Sequence, residues 1–156
     1  MVALASVLLV GCGKMGGAMA RGWLEHGLGR LVIVEPSAQG LGDFAGRTGV
    51  DLVSRVEDVP PGFHPAVVVL AVKPQSMDEA LPTYARFRDS LIVSIAAGKT
   101  VAYLQSHFGA AAAIVRAMPN LPASIGRGMT AAVGGSPTSG ILHTPVLTEM
   151  WARRSQ

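Results

Sequence analysis

Three glycines, Gly11, Gly13 and Gly16, stand in the string GCGKMG at the spacing G-x-G-x-x-G, with Cys12, Lys14 and Met15 between them. An apolar run, SVLLV at residues 6–10, precedes them, and an amphipathic stretch follows. In such a context the first glycine makes a tight turn, the second lets the backbone approach a diphosphate, and the third lets helix and strand pack closely. The start of the following helix adds free N–H groups and the positive end of a dipole. Glu35 closes the next apolar run 24 positions after Gly11, near the spacing of about 20 that sets a carboxylate on a dinucleotide ribose. That chemistry points to a bound NADH or NADPH. Glu35 favours NADH, whereas Ser37 and Arg47 downstream offer contacts to a 2′-phosphate, so the choice between the two stays open.

The string Leu9-Val10-Gly11-Cys12 also has the form of a lipoprotein cleavage box, which would make Cys12 a lipid anchor. A signal segment needs a basic leading region, yet MVALAS carries no Lys or Arg. The lipid reading also leaves Gly13, Gly16 and the following helix without a purpose. We therefore expect a cytoplasmic chain with no membrane attachment, in which Cys12 is an intervening position of the loop. The longest apolar runs are too short to span a bilayer.

Composition narrows the classes further. The chain has 156 residues, 49% hydrophobic and 15% charged, which suits a single globular domain rather than a disordered chain. Its net charge of +3 is spread thinly, with no basic run longer than Arg153-Arg154, and aromatic residues make up 5%. Nucleic-acid binding is not expected from that pattern. No acidic residue falls between Asp89 and Glu149, while Lys99, Arg116 and Arg127 do; three solvated surface charges are the expected reading, and an anionic ligand is the alternative. One cysteine and four scattered histidines, His26, His64, His107 and His143, provide neither a disulfide nor a metal site. No side chain is singled out as catalytic.

The elements that must position these residues alternate along the chain. SVLLV reads as a strand buried on both faces. Met15, Met19, Trp23 and Leu24 give a helical stripe that Gly27 stops. RLVIVEPS (30–37) reads as a second strand, Ala38 to Thr48 as a weak helix broken by glycines, and GVDLV as a short strand. PAVVVLAVKPQ (65–75) is the strongest strand signal, ended by Pro74. A helix capped by Ser76 is expected to run to about Phe87. Then come a strand in SLIVSIAAG, a helix in TVAYLQSHF, a strand in AAIVRAMPN and one more in GMTAAVG. The alternation predicts an α/β fold, a Rossmann-like doubly wound, mainly parallel sheet with helices on both faces. Residues 1–133 form that domain. Residues 134–156 lose all periodicity and read as an irregular tail.

The strings GCGKMG, LAVKPQ, SIAAG and RAMPNLPASIGRGMT together resemble the pyrroline-5-carboxylate reductase family, in order and at matching separations, over about residues 6–133. The resemblance implies hydride transfer from NAD(P)H to 1-pyrroline-5-carboxylate, giving L-proline, in a homo-oligomeric enzyme. It implies that Gly11 to Gly16 hold the diphosphate and that Glu35, Pro36 and Ser37 lie by the adenosine ribose. Ala71, Val72, Lys73 and Pro74, then Ala96, Ala97 and Gly98, would follow the nicotinamide side. Met118, Pro119 and Asn120 would lie near nicotinamide and substrate. Lys73 is taken as a contact to the cofactor rather than an acid or base, because hydride addition to a protonated imine asks little proton chemistry of the protein.

Two departures from the family pattern accompany the resemblance. Leu121 stands where threonine is common. The helical dimerisation domain that grips the substrate carboxylate has no counterpart after Gly134, where SPTSG is only a compositional echo. The reading is a reductase shortened or altered in frame near residue 134. The alternatives are a dinucleotide-binding module without turnover, or a related imine or β-hydroxyacid dehydrogenase.

Overall fold

The computed structural model describes residues 6–25, 27–118 and 131–134. Seven strands form one sheet: β1 (Ser6–Val10), β2 (Arg30–Val34), β3 (Val50–Val53), β4 (Val67–Leu70), β5 (Leu91–Ser94), β6 (Ile114–Met118) and β7 (Ala131–Gly134). Their order is β3-β2-β1-β4-β5-β6-β7. The first six are parallel, and β7 runs antiparallel to β6. The order reverses between β1 and β4, which opens a crevice at the carboxyl ends of those strands in a Rossmann-like doubly wound sheet.

The pleat explains why these runs are apolar throughout. Val7 and Leu9 of β1 enter one core, and Leu8 and Val10 enter the other. β4 splits the same way, with Val67 and Val69 on one side and Val68 and Leu70 on the other. Both faces are covered, so period-2 alternation of polarity disappears. Helix α1 (Lys14–Glu25) buries Met19, Ala20 and Trp23 against one face. A side chain the size of Met19 contributes roughly 1.5–3 kcal/mol when fully buried. The other face is covered by α2 (Met77–Ala80), the 3₁₀ segment after it, and α3 (Val101–Phe108).

Gly27 ends α1 as expected. It takes φ +88°, its N–H donates to the Leu24 carbonyl at 3.1 Å, and the Leu28 N–H reaches back to Trp23 at 3.0 Å, the paired bonds of a glycine-terminated helix.

Two expected helices are corrected. Residues 38–48 form successive turns, not a helix: Phe44 donates to Leu41 and Arg47 to Phe44. Gly40 and Gly46 sit at φ +83° and +73°, outside the helical region. Phe44, fully buried, is what fastens this loop to the sheet. The expected helix from Ser76 to Phe87 is α-helical only over Met77–Ala80 and becomes 3₁₀ over Leu81–Phe87. Pro82 cannot donate the backbone hydrogen bond that an α-helix needs there. The Ser76 side chain makes no capping bond. β4 is also shorter than its apolar run, ending at Leu70 and releasing Ala71 to Lys73 toward the crevice. The 134–156 tail lies outside the described residues, apart from Gly134 at the end of β7.

Candidate functional site

The end of β1 is tied to its neighbours by backbone bonds that continue past the strands. The Gly11 N–H donates to Val34 at 2.9 Å, and the Ala71 N–H donates to Val10 at 2.8 Å. The three loop glycines meet three different surroundings. At Gly11, with φ +90°, an added Cβ would lie 2.9 Å from the Ala71 carbonyl oxygen. At Gly16 it would lie 2.7 Å from the Gly11 carbonyl oxygen and 3.3 Å from the Ala71 Cβ. At Gly13 it would meet nothing within 4 Å, and Gly13 is exposed. Turn, open approach and close packing are thus distributed over the three positions as the spacing predicts. α1 has no acidic residue in its first turn, so no carboxylate of that turn competes for the N–H groups at the helix start.

Glu35 fastens this loop. Its Oε1 accepts from the Cys12 backbone N–H at 2.9 Å and its Oε2 from the Ser37 N–H at 3.0 Å. The Cys12 side chain turns the other way, into the core, with 4% of its surface exposed. Burial pushes the thiol up from its ordinary range, and the Glu35 carboxylate adds to the rise. A protonated, buried thiol is a poor nucleophile.

A cavity of about 600 Å³ opens over the carboxyl ends of β1, β2 and β4. Gly11, Gly13, Glu35, Pro36, Ala71, Val72 and Lys73 all line it, so the structure brings together expected residues from three separate segments. Lys14, Met15 and Gly16 continue the loop into α1, with Lys14 exposed and Met15 half-buried. Ser37, Pro74, Ala96, Ala97 and Gly98 do not line this cavity, nor does Arg47. Ala97 and Gly98 lie exposed beyond β5, with Gly98 at φ +76°. Met118 is the last residue of β6, and Pro119 and Asn120 lie outside the described residues.

Sequence reasoning missed the far wall. Ser54, Arg55, Val56 and Glu57 follow β3, and Ser76, Glu79, Ala80, Thr83 and Tyr84 come from the segment after β4. The position of Ser54 just past a strand's carboxyl end was a usable signal. Thr83 and Tyr84 carried none, because the α-to-3₁₀ change decides which way that segment faces. Tyr84 is pushed up to about 12 by burial and then by the Glu57 carboxylate, so it remains a neutral phenol at physiological pH. Arg55 directs its guanidinium at Asp58, with Nε and Nη2 each 3.4 Å from a carboxylate oxygen.

A second cluster ties α2 to α3 and to the loop before it. The Tyr103 hydroxyl donates to the Asp78 carboxylate, and the Lys99 ammonium lies 3.9 Å from Asp78 and 4.4 Å above the Tyr103 ring. These contacts hold the Asp78 carboxyl below its usual range, the Tyr103 hydrogen bond first and Lys99 second. Among the described residues there is no cluster fit to hold a metal ion and no helix long and apolar enough to cross a membrane.

Comparison with known proteins agrees with this geometry. The family described as NADP oxidoreductase coenzyme F420-dependent matches residues 6–98. The pyrroline-5-carboxylate reductase of Escherichia coli (strain K12) is 34% identical over 141 residues, which cover 87% of this chain and 50% of that protein. The structure of a pyrroline-5-carboxylate reductase from Coxiella burnetii superposes with a TM-score of 0.79 at 25% identity, covering 95% of this chain and 56% of that one. That of the Plasmodium falciparum pyrroline carboxylate reductase, with NADP bound, gives 0.76 at 22% identity, covering 99% and 56%. The chain spans about half the length of the curated relatives it matches.

Proposed function

The chain belongs to the coenzyme F420-dependent NADP oxidoreductase family, and from that premise we propose that it is the dinucleotide-binding part of a pyrroline-5-carboxylate reductase. The observation that carries this reading is the loop at the head of the cavity. Gly11 and Gly16 are closed to any side chain while Gly13 faces open space, the arrangement a diphosphate needs for close backbone approach.

The residues present fit such a cofactor. Gly13 and the first turn of α1 hold the diphosphate, with N–H groups and the helix dipole favouring its charge. Glu35 and Pro36 stand at the ribose, and Lys73 lies exposed in the lining as a cation for phosphate or ribose oxygens. Ala71 and Val72 form the apolar side toward the nicotinamide. Pro74, Ala96, Ala97, Gly98, Met118, Pro119 and Asn120 complete the nicotinamide and substrate side in this reading. When bound, NADH or NADPH supplies a hydride, here to the C=N carbon of 1-pyrroline-5-carboxylate to give L-proline. The chain's own contribution is binding and orientation, an effect worth several kcal/mol of barrier, and no side chain of the lining is assigned a proton transfer. A cytoplasmic location, with access to the cell's reduced dinucleotide pool, belongs to the same proposal.

Fluorescence titration with NADH and NADPH, followed by oxidation of the bound dinucleotide on adding 1-pyrroline-5-carboxylate, tests it. Binding with oxidation supports the whole proposal. Binding without oxidation reduces it to a dinucleotide-binding module, and no binding of either cofactor rejects it.

A further inference from the structure

We infer that Glu35 makes the adenosine end of this site selective for an unphosphorylated ribose, so that the chain takes NADH in preference to NADPH; this rests on the dinucleotide reading above. The family description and the NADP carried by the Plasmodium falciparum neighbour point the other way, and the reason for the departure lies in how the carboxylate is held.

Glu35 stands at the end of β2, beside the glycine loop. Both of its oxygens accept backbone N–H bonds, one from the loop at Cys12 and one from the following turn at Ser37. Two donors on opposite sides fix the carboxylate inside the lining rather than leaving it free to swing outward. Each oxygen keeps a further lone pair, which suits the hydroxyls of a ribose. A 2′-phosphate at the same place would bring two negative groups together without a cation between them.

Among the described residues no cation forms an ion pair with Glu35. Glu57 and Glu79 also line the cavity, against Arg55 and Lys73. Arg55 already faces Asp58 through both arms of its guanidinium. Lys73 sits past β4, on the far side of β1 from Glu35 in the strand order. Ser37, whose hydroxyl oxygen accepts from the Gln39 N–H at 3.2 Å, is a neutral residue outside the cavity lining and offers no positive charge. Arg47, the remaining downstream cation, is not part of the lining.

The test is equilibrium titration of the 156-residue chain with NADH and with NADPH, read by fluorescence and requiring no turnover. NADH should bind at least about tenfold more tightly, and Glu35→Gln should bring the ratio toward one by raising NADPH affinity. Competition on the unaltered chain gives a second reading that needs no variant: adenosine 5′-phosphate should displace bound NADH better than adenosine 2′,5′-bisphosphate does. NADPH binding as tightly as NADH, or a bisphosphate that competes equally well, overturns the inference while leaving the dinucleotide reading intact. An unchanged ratio in a folded Glu35→Gln protein overturns the role given to Glu35. If neither cofactor binds, the dinucleotide reading fails and this inference with it.

Discussion

The Cys12 backbone N–H donates to the Glu35 carboxylate at 2.9 Å, joining the glycine loop after β1 to the end of β2 across 23 residues of sequence. With the second bond from Ser37, the carboxylate acts as a staple for the loop. Hydrogen bonds to a charged acceptor contribute more than neutral ones. Glu35→Ala should therefore cost about 1–2 kcal/mol and lower Tm by roughly 3–6 °C. Glu35→Gln, which keeps one acceptor, should cost less than half as much. Thermal unfolding of the three proteins decides it, and an alanine variant as stable as the parent would remove the staple from the account.

Gly13 and Gly16 separate binding from folding. A Cβ at Gly13 meets nothing within 4 Å, whereas one at Gly16 falls 2.7 Å from a backbone oxygen that cannot move aside cheaply. Gly13→Ala should leave stability within about 0.5 kcal/mol of the parent, or raise it slightly by restricting the unfolded chain. It should nonetheless weaken dinucleotide binding, because the methyl group occupies the side open to the diphosphate. Gly16→Ala should destabilise by about 1–3 kcal/mol as an overpacking change. Urea unfolding and dinucleotide titration on both variants should show the two effects dissociated.

What the sequence revealed follows from which forces act locally. β1, the glycine turn, α1 and β2 were legible because strand burial, turn geometry and helix stripe all point the same way between residues 6 and 35. The helix expected over 38–48 failed because Gly40 and Gly46 take positive φ and the long-range burial of Phe44 holds the loop instead. The helix expected through Phe87 failed at Pro82, whose missing N–H converts the segment to 3₁₀. That conversion is also why Thr83 and Tyr84 went unnoticed in the cavity wall. Glu35 was legible by its spacing as a residue of the cavity lining. Its grip on the Cys12 and Ser37 N–H groups was not, since no pattern of residue types records which backbone atoms a carboxylate meets.

α3 depends on Thr100. The Thr100 hydroxyl oxygen accepts from the Tyr103 N–H at 3.0 Å, satisfying a donor that the first turn leaves orphaned. Thr100→Ala should cost about 1 kcal/mol, and Thr100→Ser should retain most of the stability. Because Tyr103 is the residue that reaches Asp78, loss of the cap should also loosen the tie between α3 and α2. Amide exchange at residues 101–104 should quicken in the alanine variant more than exchange in β1. Equal protection in all three proteins would show the cap to be inert.

Alkali should destabilise the fold through Tyr84 and Cys12. The Tyr84 phenol is raised from 10.0 to about 12 and the Cys12 thiol is raised above 9.0, each chiefly by burial, with Glu57 and Glu35 respectively adding to the effect. In both cases the folded protein holds its proton to higher pH than the unfolded chain does. The unfolded chain therefore binds fewer protons once the pH passes its own values, and stability falls as pH rises. The stabilisation is complete below pH 9.0, declines first through Cys12, and declines further through Tyr84 between pH 10.0 and about 12. Tyr84→Phe should remove the Tyr84 share of the decline that begins near pH 10.0, leaving unchanged the thiol part and the share of Tyr103, whose phenol is likewise raised to about 12 by burial and by its hydrogen bond to Asp78. Urea midpoints measured across this range for the parent and the variant give the comparison. Parallel declines in the two proteins would mean that the phenol does not titrate differently on folding.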